Sequence, residues 1–95
     1  MIQTQLKEIG IDYPHSGEVL APGPYSFRLC APSDAQEVRL SIDDGPWQSC
    51  RADDGHWWFD WSEATPGEHV AVSRVIEKDG SLILGQARLF QVQGA

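Results

Sequence analysis

The sequence predicts an all-β fold, a single antiparallel β-sandwich of the immunoglobulin-like type with about seven strands. Two runs, residues 25–31 and 37–42, alternate apolar and polar side chains with the two-residue period of a half-buried strand. Turn signals rich in Asp, Gly and Pro recur every 8 to 12 residues or so. No stretch of about ten residues has the helical period. A five-stranded barrel is the alternative fold, because the same spacing can close a small sheet on itself.

The turns divide the chain into the predicted strands. They are the sequences DDGP, DDG, TPGE and KDG at residues 43–46, 53–55, 65–68 and 78–80. Asp-Gly supplies the positive backbone angles of tight hairpins, and Pro presets the first corner of a turn. The strands are predicted at residues 9–13, with a second edge piece near Val19, and then at 25–31, 37–42, 47–51, 56–61, 69–76 and 82–92, the last broken near Gly85.

Length and charge set limits on organisation and partners. Ninety-five residues support one hydrophobic core, so residues 1–95 are expected to form one domain. A net charge of -7 repels phosphate backbones and anionic lipids, which argues against nucleic acid and membrane surfaces as partners. No signal peptide and no apolar run of membrane-spanning length is recognisable, so a cytoplasmic location is expected.

Cysteine and histidine spacing gives no metal site. Cys30 and Cys50 are twenty residues apart, which fits neither a zinc pair nor a CxxC motif; two thiols are expected, with a disulfide between them as the alternative. His15, His56 and His69 have no partner at ligand spacing, and His69 has the parity of a core residue. The acidic turns lack the calcium-loop pattern, so their carboxylates are expected to be solvated.

Catalytic motifs are also lacking. The sequence has no GxSxG elbow, no HExxH and no glycine-rich phosphate loop, and its nine glycines stand singly. Neither cysteine is paired with a histidine in a recognisable way. We therefore expect no catalytic residue, no cofactor and no enzyme activity.

Three of the four tryptophans lie in the stretch GHWWFDW, residues 55–61. Strand alternation places Trp57, Phe59 and Trp61 on one face and Trp58 on the other. Burying each ring contributes roughly 1.5 to 3 kcal/mol, so the first three are predicted to be core residues.

The strand at 69–76 predicts a second apolar surface. His69, Ala71, Ser73 and Val75 share one parity and are mostly small, which leaves room for indole rings opposite them. The opposite parity carries Val70 and Val72, and we expect them to share a face with Trp58. Such a patch marks a protein contact site, unless another segment of the chain covers it.

The sequence FRLCAPSDAQEVRL, followed by Trp47, GHWWFDW, PGEH and EKDG, resembles early-set immunoglobulin-like modules. One group of them is fused to glycogen-branching and debranching enzymes and to glycogen-sensing kinases. The resemblance covers residues 25–80 and implies α-glucan binding. Of the usual pair of sugar-stacking tryptophans only Trp47 is matched, since Ser81 and Leu82 follow the last turn. The alternative for Trp47 is a ring that lies flat over neighbouring strands and covers the core. Aromatic rings stack on sugars while polar groups take the hydroxyls, which makes Gln48, Asp43 and Asp44 candidate hydrogen-bonding residues beside Trp47.

A second resemblance fits the phrases VRLSIDDGPW and PGEHVAVSRVIEKDG. They are similar to phrases in immunoglobulin-like domains that serve as dimerisation or spacer modules beside larger enzymes. Neither group is catalytic by itself. The sequence thus predicts a non-catalytic module that associates with a protein or with its own copy, the alternative being an α-glucan-binding module; the candidate binding residues are Trp47, Gln48, Trp58, Val70 and Val72.

Overall fold

The computed structural model of the protein describes residues 9–62 and 64–94, and these form ten strands in two sheets. The strands are β1 (Gly10–Tyr13), β2 (Val19–Leu20), β3 (Tyr25–Cys30), β4 (Ala35–Ile42), β5 (Gln48–Ser49), β6 (Arg51–Asp53), β7 (His56–Trp61), β8 (Gly67–Glu77), β9 (Leu82–Leu84) and β10 (Arg88–Val92). No helix is assigned in these residues, and none is therefore long and apolar enough to span a membrane.

The strands divide between a four-stranded and a six-stranded sheet. The order in the first is β1-β3-β7-β6; in the second it is β2-β10-β8-β4-β5, and β9 pairs with β8 beside β10. Apolar side chains of both sheets meet between them, and Phe27, Leu29, Leu40, Ala71 and Val75 are fully buried there. The chain thus has the predicted all-β, immunoglobulin-like sandwich fold.

The strand predicted at residues 47–51 is two strands in two sheets. β5 pairs with β4 in the six-stranded sheet, whereas β6 pairs with β7 in the four-stranded sheet. Between them lies Cys50, whose backbone N–H donates to the carbonyl of Val38 at 2.8 Å. The chain crosses from one sheet to the other at this residue.

The predicted break near Gly85 is confirmed and separates β9 from β10. The amide of Gly85 donates to the carbonyl of Ser73 at 2.9 Å, and a Cβ at this position would collide with the Ser73 hydroxyl. Glycine allows the close approach that lets β9 and β10 pair with successive parts of β8. One pairing departs from the antiparallel prediction, because β2 runs parallel to β10.

A cluster of rings joins the two sheets across the core. Phe27 of β3 and Trp61 of β7 come from the four-stranded sheet, and His69 of β8 and Phe90 of β10 from the six-stranded sheet. The Trp61 ring centroid lies 5.1 Å from that of His69 and 5.7 Å from that of Phe90, both edge to face. Phe27 contacts Phe90 at 5.6 Å. These distances are in the favourable range for aromatic pairs.

The parity predicted for the tryptophan stretch is confirmed. Trp61 is buried in the core, and Trp57 and Phe59 pack against it. The small residues of β8 face these rings as predicted, but they do so from the opposite sheet. A polar contact also joins the two sheets, since Arg88 of β10 donates to the carbonyls of Ile11 and Pro14 at 2.8 Å.

Replacing Trp61 by Ala should lower the free energy of unfolding by about 3–5 kcal/mol, because it leaves a cavity where the two sheets meet. Trp58→Ala, which removes a half-buried outward ring and one hydrogen bond, should cost less than about 2 kcal/mol. Chemical denaturation of both variants measures the difference, and equal losses would contradict the assigned parity.

Candidate interaction surface

The outer face of the four-stranded sheet is covered by paired polar groups. Arg28 Nε lies 3.2 Å from Asp12 Oδ2, and Ser26 Oγ donates to Asp60 at 2.8 Å. Arg51 approaches the same Asp60 carboxylate at 3.4 Å. The hydrogen bond from Ser26 and then that from Arg51 lower the pKa of Asp60. The charged side chains on this face therefore pair with one another.

Trp58 lies on that polar face. It pairs across the sheet with Arg28 on one side and Arg51 on the other. Its indole Nε1 donates to the Asp53 carbonyl at 3.1 Å, and its ring contacts His56 edge to face. Trp58 is therefore half-buried among polar neighbours.

The outer face of the six-stranded sheet is different in character, since seven aliphatic side chains lie on it beside the polar Glu37, Arg39, Glu68, Arg74 and Gln91. We call the seven aliphatic residues the aliphatic face: Val19, Val70, Val72, Ile76, Leu82, Leu84 and Leu89. The register shows that they point to one side of the sheet, because Leu89 pairs with Val70, Leu82 with Ile76 and Leu84 with the outward Arg74. Val19, Leu82, Leu84 and Leu89 expose between 55% and 63% of their area.

Two arginines belong to the same outer side: Arg74 lies within the aliphatic face, between Val72 and Ile76, and Arg39 lies at its border. Arg39 of β4 pairs directly with Arg74 of β8. Arg39 Nε lies 2.6 Å from Glu37 Oε1, and an Arg39 terminal nitrogen lies 3.3 Å from Glu37 Oε2. The guanidinium carbon of Arg74 lies 4.5 Å from the ring centroid of Trp47. An ion pair and a cation–π contact thus hold the two cations.

The structure places the five candidate residues in three locations, which are the outer sides of the two sheets and, for Gln48, a cleft at the end of the sandwich. Trp47, Val70 and Val72 lie on the outer side of the six-stranded sheet, and Trp58 lies on the outer side of the four-stranded sheet. The predicted common patch of Trp58, Val70 and Val72 is therefore wrong. Equal parity places residues on one face only when their strands share a sheet, and β7 and β8 do not.

Gln48 and Trp47 are consecutive residues, so alternation along the chain turns their side chains to opposite sides. Gln48 pairs with the inward-facing Leu40 and lines a cleft of about 390 Å³ at the end of the sandwich, together with Pro46, Trp61 and Thr65. Trp47 stacks on Arg74 at the outer side of the sheet. The two residues consequently do not form one sugar-binding group.

Asp43 has a structural role in addition to being a solvent-exposed turn residue, with 46% of its side chain exposed. It occupies a tight turn with Asp44, and both have positive φ angles, 54° and 57°. The Asp43 carboxylate accepts from the Val70 amide at 3.0 Å and lies 2.6 Å from His69 Nδ1. These bonds fix the turn to β8.

His69 is the satisfied core histidine that its parity predicts. It is 7% exposed, and its Nε2 lies 2.6 Å from the Thr65 carbonyl, opposite the Asp43 contact at Nδ1. Both ring nitrogens face acceptors, so the imidazolium satisfies both contacts. Burial by itself lowers the pKa of His69, but the bonds to Asp43 and Thr65 and the Asp43 charge outweigh burial and raise it overall.

The described residues contain no group of three or more His, Cys, Asp and Glu placed to hold a metal ion. No disulfide joins Cys30 to Cys50. Burial raises the pKa of the Cys50 thiol to about 12, which keeps it protonated and weakly nucleophilic at neutral pH.

Sequence reasoning missed most of the aliphatic face. Residues 82–92 could be identified as a broken strand, but the outward parity of Leu82, Leu84 and Leu89 depends on their partners in β8. The Arg39–Arg74 pairing likewise depends on the register of β4 against β8. Alternation along β4 and β8 signals that both arginines face outward, while the sequence carries no signal for their juxtaposition.

No protein-family model matches the chain, and no curated protein matches it. Among solved structures, the chain is similar to the fibronectin(III)-like modules of CbhA from Clostridium thermocellum, with a TM-score of 0.76 and 18% identity over 90% of this chain and 94% of that chain.

Two further structures share the architecture. CopC from Methylosinus trichosporium OB3b has a TM-score of 0.70 and 18% identity, covering 93% of this chain and 94% of its own. A modular endo-β-1,4-mannanase from Cellulomonas fimi has a TM-score of 0.71 and 17% identity over 92% of this chain and 18% of that chain. At these identities the likenesses establish the sandwich fold alone.

The Asp43–His69 contact predicts a pH-dependent stability. The folded-state pKa of His69 lies above its ordinary value of 6.5, so the contribution of the charged ring is complete below that pH and is lost as pH rises through the folded-state pKa. Asp43→Asn should lower the free energy of unfolding by about 1.5 kcal/mol at pH 6, and by less above the folded-state pKa.

The matched control is Asp44→Asn, which changes the neighbouring exposed carboxylate in the same turn. Denaturant unfolding at several pH values should give this variant the pH profile of the wild type. An Asp43→Asn profile parallel to that of the wild type would contradict the assigned contact.

Proposed function

We propose that this protein is a non-catalytic interaction module that docks onto a protein surface through the aliphatic face. The observation that carries the proposal is the contrast between the two outer faces. One satisfies its charges in internal pairs, and the other exposes four large aliphatic side chains on a single sheet.

The size and composition of the aliphatic face support docking. Contiguous apolar surface on a soluble domain commonly marks a contact site. Arg74 within the face and Trp47 at its border are residue types that contribute strongly to protein interfaces. Because the side chains stand on a hydrogen-bonded sheet, little conformational entropy is lost on binding.

Site-specific photocrosslinking in the cells that produce the protein tests this proposal. A benzophenone side chain at Leu84 or Leu89, on the aliphatic face, should give a discrete covalent adduct. The same group at Ser26, on the outer face of the four-stranded sheet, is the matched control and should give none. Val72→Lys should abolish the Leu84 adduct, because it places a charge in the middle of the contact.

The mass of the adduct distinguishes a foreign protein from a second copy of this 10.5 kDa chain. A lack of adducts from both aliphatic positions, or equal adducts from Ser26, would contradict docking through this face.

Binding of an α-glucan is the second candidate function, and the position of Trp47 favours it. One ring face lies against Arg74, and the residue is only half-buried, so the other ring face can stack on a sugar. The supporting polar groups would differ from those expected, because Gln48 lines the end cleft and Asp43 is bound to β8.

Titration with maltoheptaose while following tryptophan fluorescence tests the glucan alternative. Stacking on Trp47 predicts a saturable change that Trp47→Ala abolishes and Trp58→Phe retains. A flat titration of the wild type, or a change that survives Trp47→Ala, would contradict stacking on this ring.

A further inference from the structure

The centre of the aliphatic face carries positive charge on a strongly acidic protein. Arg39 and Arg74 are direct cross-strand neighbours, and like charges in this position destabilise a sheet. Glu37 approaches Arg39 with both carboxylate oxygens. The Arg39–Glu37 pair carries no net charge. Arg74 contacts the uncharged indole ring of Trp47 and therefore keeps its positive charge.

Arg74 retains hydrogen-bonding capacity. Its Nε is buried, so a partner reaches the guanidinium only through the two terminal nitrogens. The guanidinium carbon lies 4.5 Å from the Trp47 ring centroid, and this cation–π contact uses none of the N–H groups of the guanidinium. The ring thereby holds the cation in place, which preorganises its terminal nitrogens to donate to an acceptor.

Docking is energetically unfavourable for Arg74 unless the partner neutralises its charge. Any surface that covers Val72, Leu84 and Ile76 also removes water from Arg74, which lies between them in the sheet register. A desolvated, unpaired charge is strongly unfavourable, whereas a carboxylate that pairs with a guanidinium through two hydrogen bonds compensates the loss.

We propose that the partner of the aliphatic face is a peptide segment that presents a carboxylate flanked by aliphatic side chains. The carboxylate binds Arg74, and its flanking side chains cover Leu84 on one side and Val72 on the other. This inference rests on the proposed function and specifies the chemistry of the partner.

Charge also separates this occupant from a second copy of the chain. A two-fold pairing centred on Arg74 would bring this cation close to Arg74 of the copy. The acidic segment meets the arginines with the opposite sign.

Two synthetic peptides test the inference, acetyl-Thr-Leu-Glu-Leu-Thr-amide and its counterpart with Gln in place of Glu. Each is titrated to about 10 mM, a range that detects millimolar binding, while NMR follows the Arg74 Nε–H and Trp47 indole N–H signals. The Glu peptide should shift both signals saturably and bind about tenfold more tightly than the Gln peptide.

Matched arginine variants assign the preference to one side chain. Arg74→Gln should reduce the ratio between the two peptides to about one. Arg51→Gln, which removes an arginine from the other sheet, should leave the tenfold ratio intact. The amide spectrum of each variant confirms that the fold is retained.

The remaining outcomes separate this inference from the proposed function. Equal binding of both peptides at the aliphatic face would overturn the carboxylate requirement and leave docking through that face supported. No binding by either peptide, or shifts confined to Trp58 and its neighbours, would overturn the inference, and the crosslinking result would then decide the proposed function alone. A dimer in sedimentation experiments that Leu84→Lys dissolves would identify a second copy as the occupant.

Discussion

The rings that meet between the two sheets are the contact on which the rest of the structure depends. Phe27 and Trp61 come from one sheet and His69 and Phe90 from the other, so the cluster fixes which face of each sheet is inward. Strand alternation then determines every outward position. The polar face and the aliphatic face are thus consequences of how the core is filled.

His69 extends this constraint from the core to a turn. Its ring stacks on Phe90 with centroids 5.6 Å apart, and its two nitrogens bind Asp43 and Thr65. Asp43 has an unfavourable positive φ for a residue with a side chain, and its bonds to β8 offset that cost. The same residue that completes the aromatic cluster thereby sets the position of the turn that leads to Trp47 and β5.

Local periodicity was sufficient to predict the sandwich, the inward parity of Trp57 and Trp61, and the break near Gly85. Contacts between distant segments were not predictable in this way. The strand at 47–51 divides at Cys50 because its two halves hydrogen-bond to different sheets, and no local pattern encodes that choice. Val70 and Val72 have the parity of Trp58 but not its surface, because β8 and β7 belong to different sheets. The arginine pair on the aliphatic face depends on register, which is also a long-range property.

Nuclear Overhauser contacts between assigned side chains test the central claim most directly, since they report which rings are neighbours in solution. We expect contacts from the Trp61 ring to both His69 and Phe90, and from Trp47 to the Arg74 side chain. Contacts of Trp58 with Val70 or Val72, in place of those from Trp61 to the opposite sheet, would place these residues on one surface and contradict the assignment of inner and outer faces.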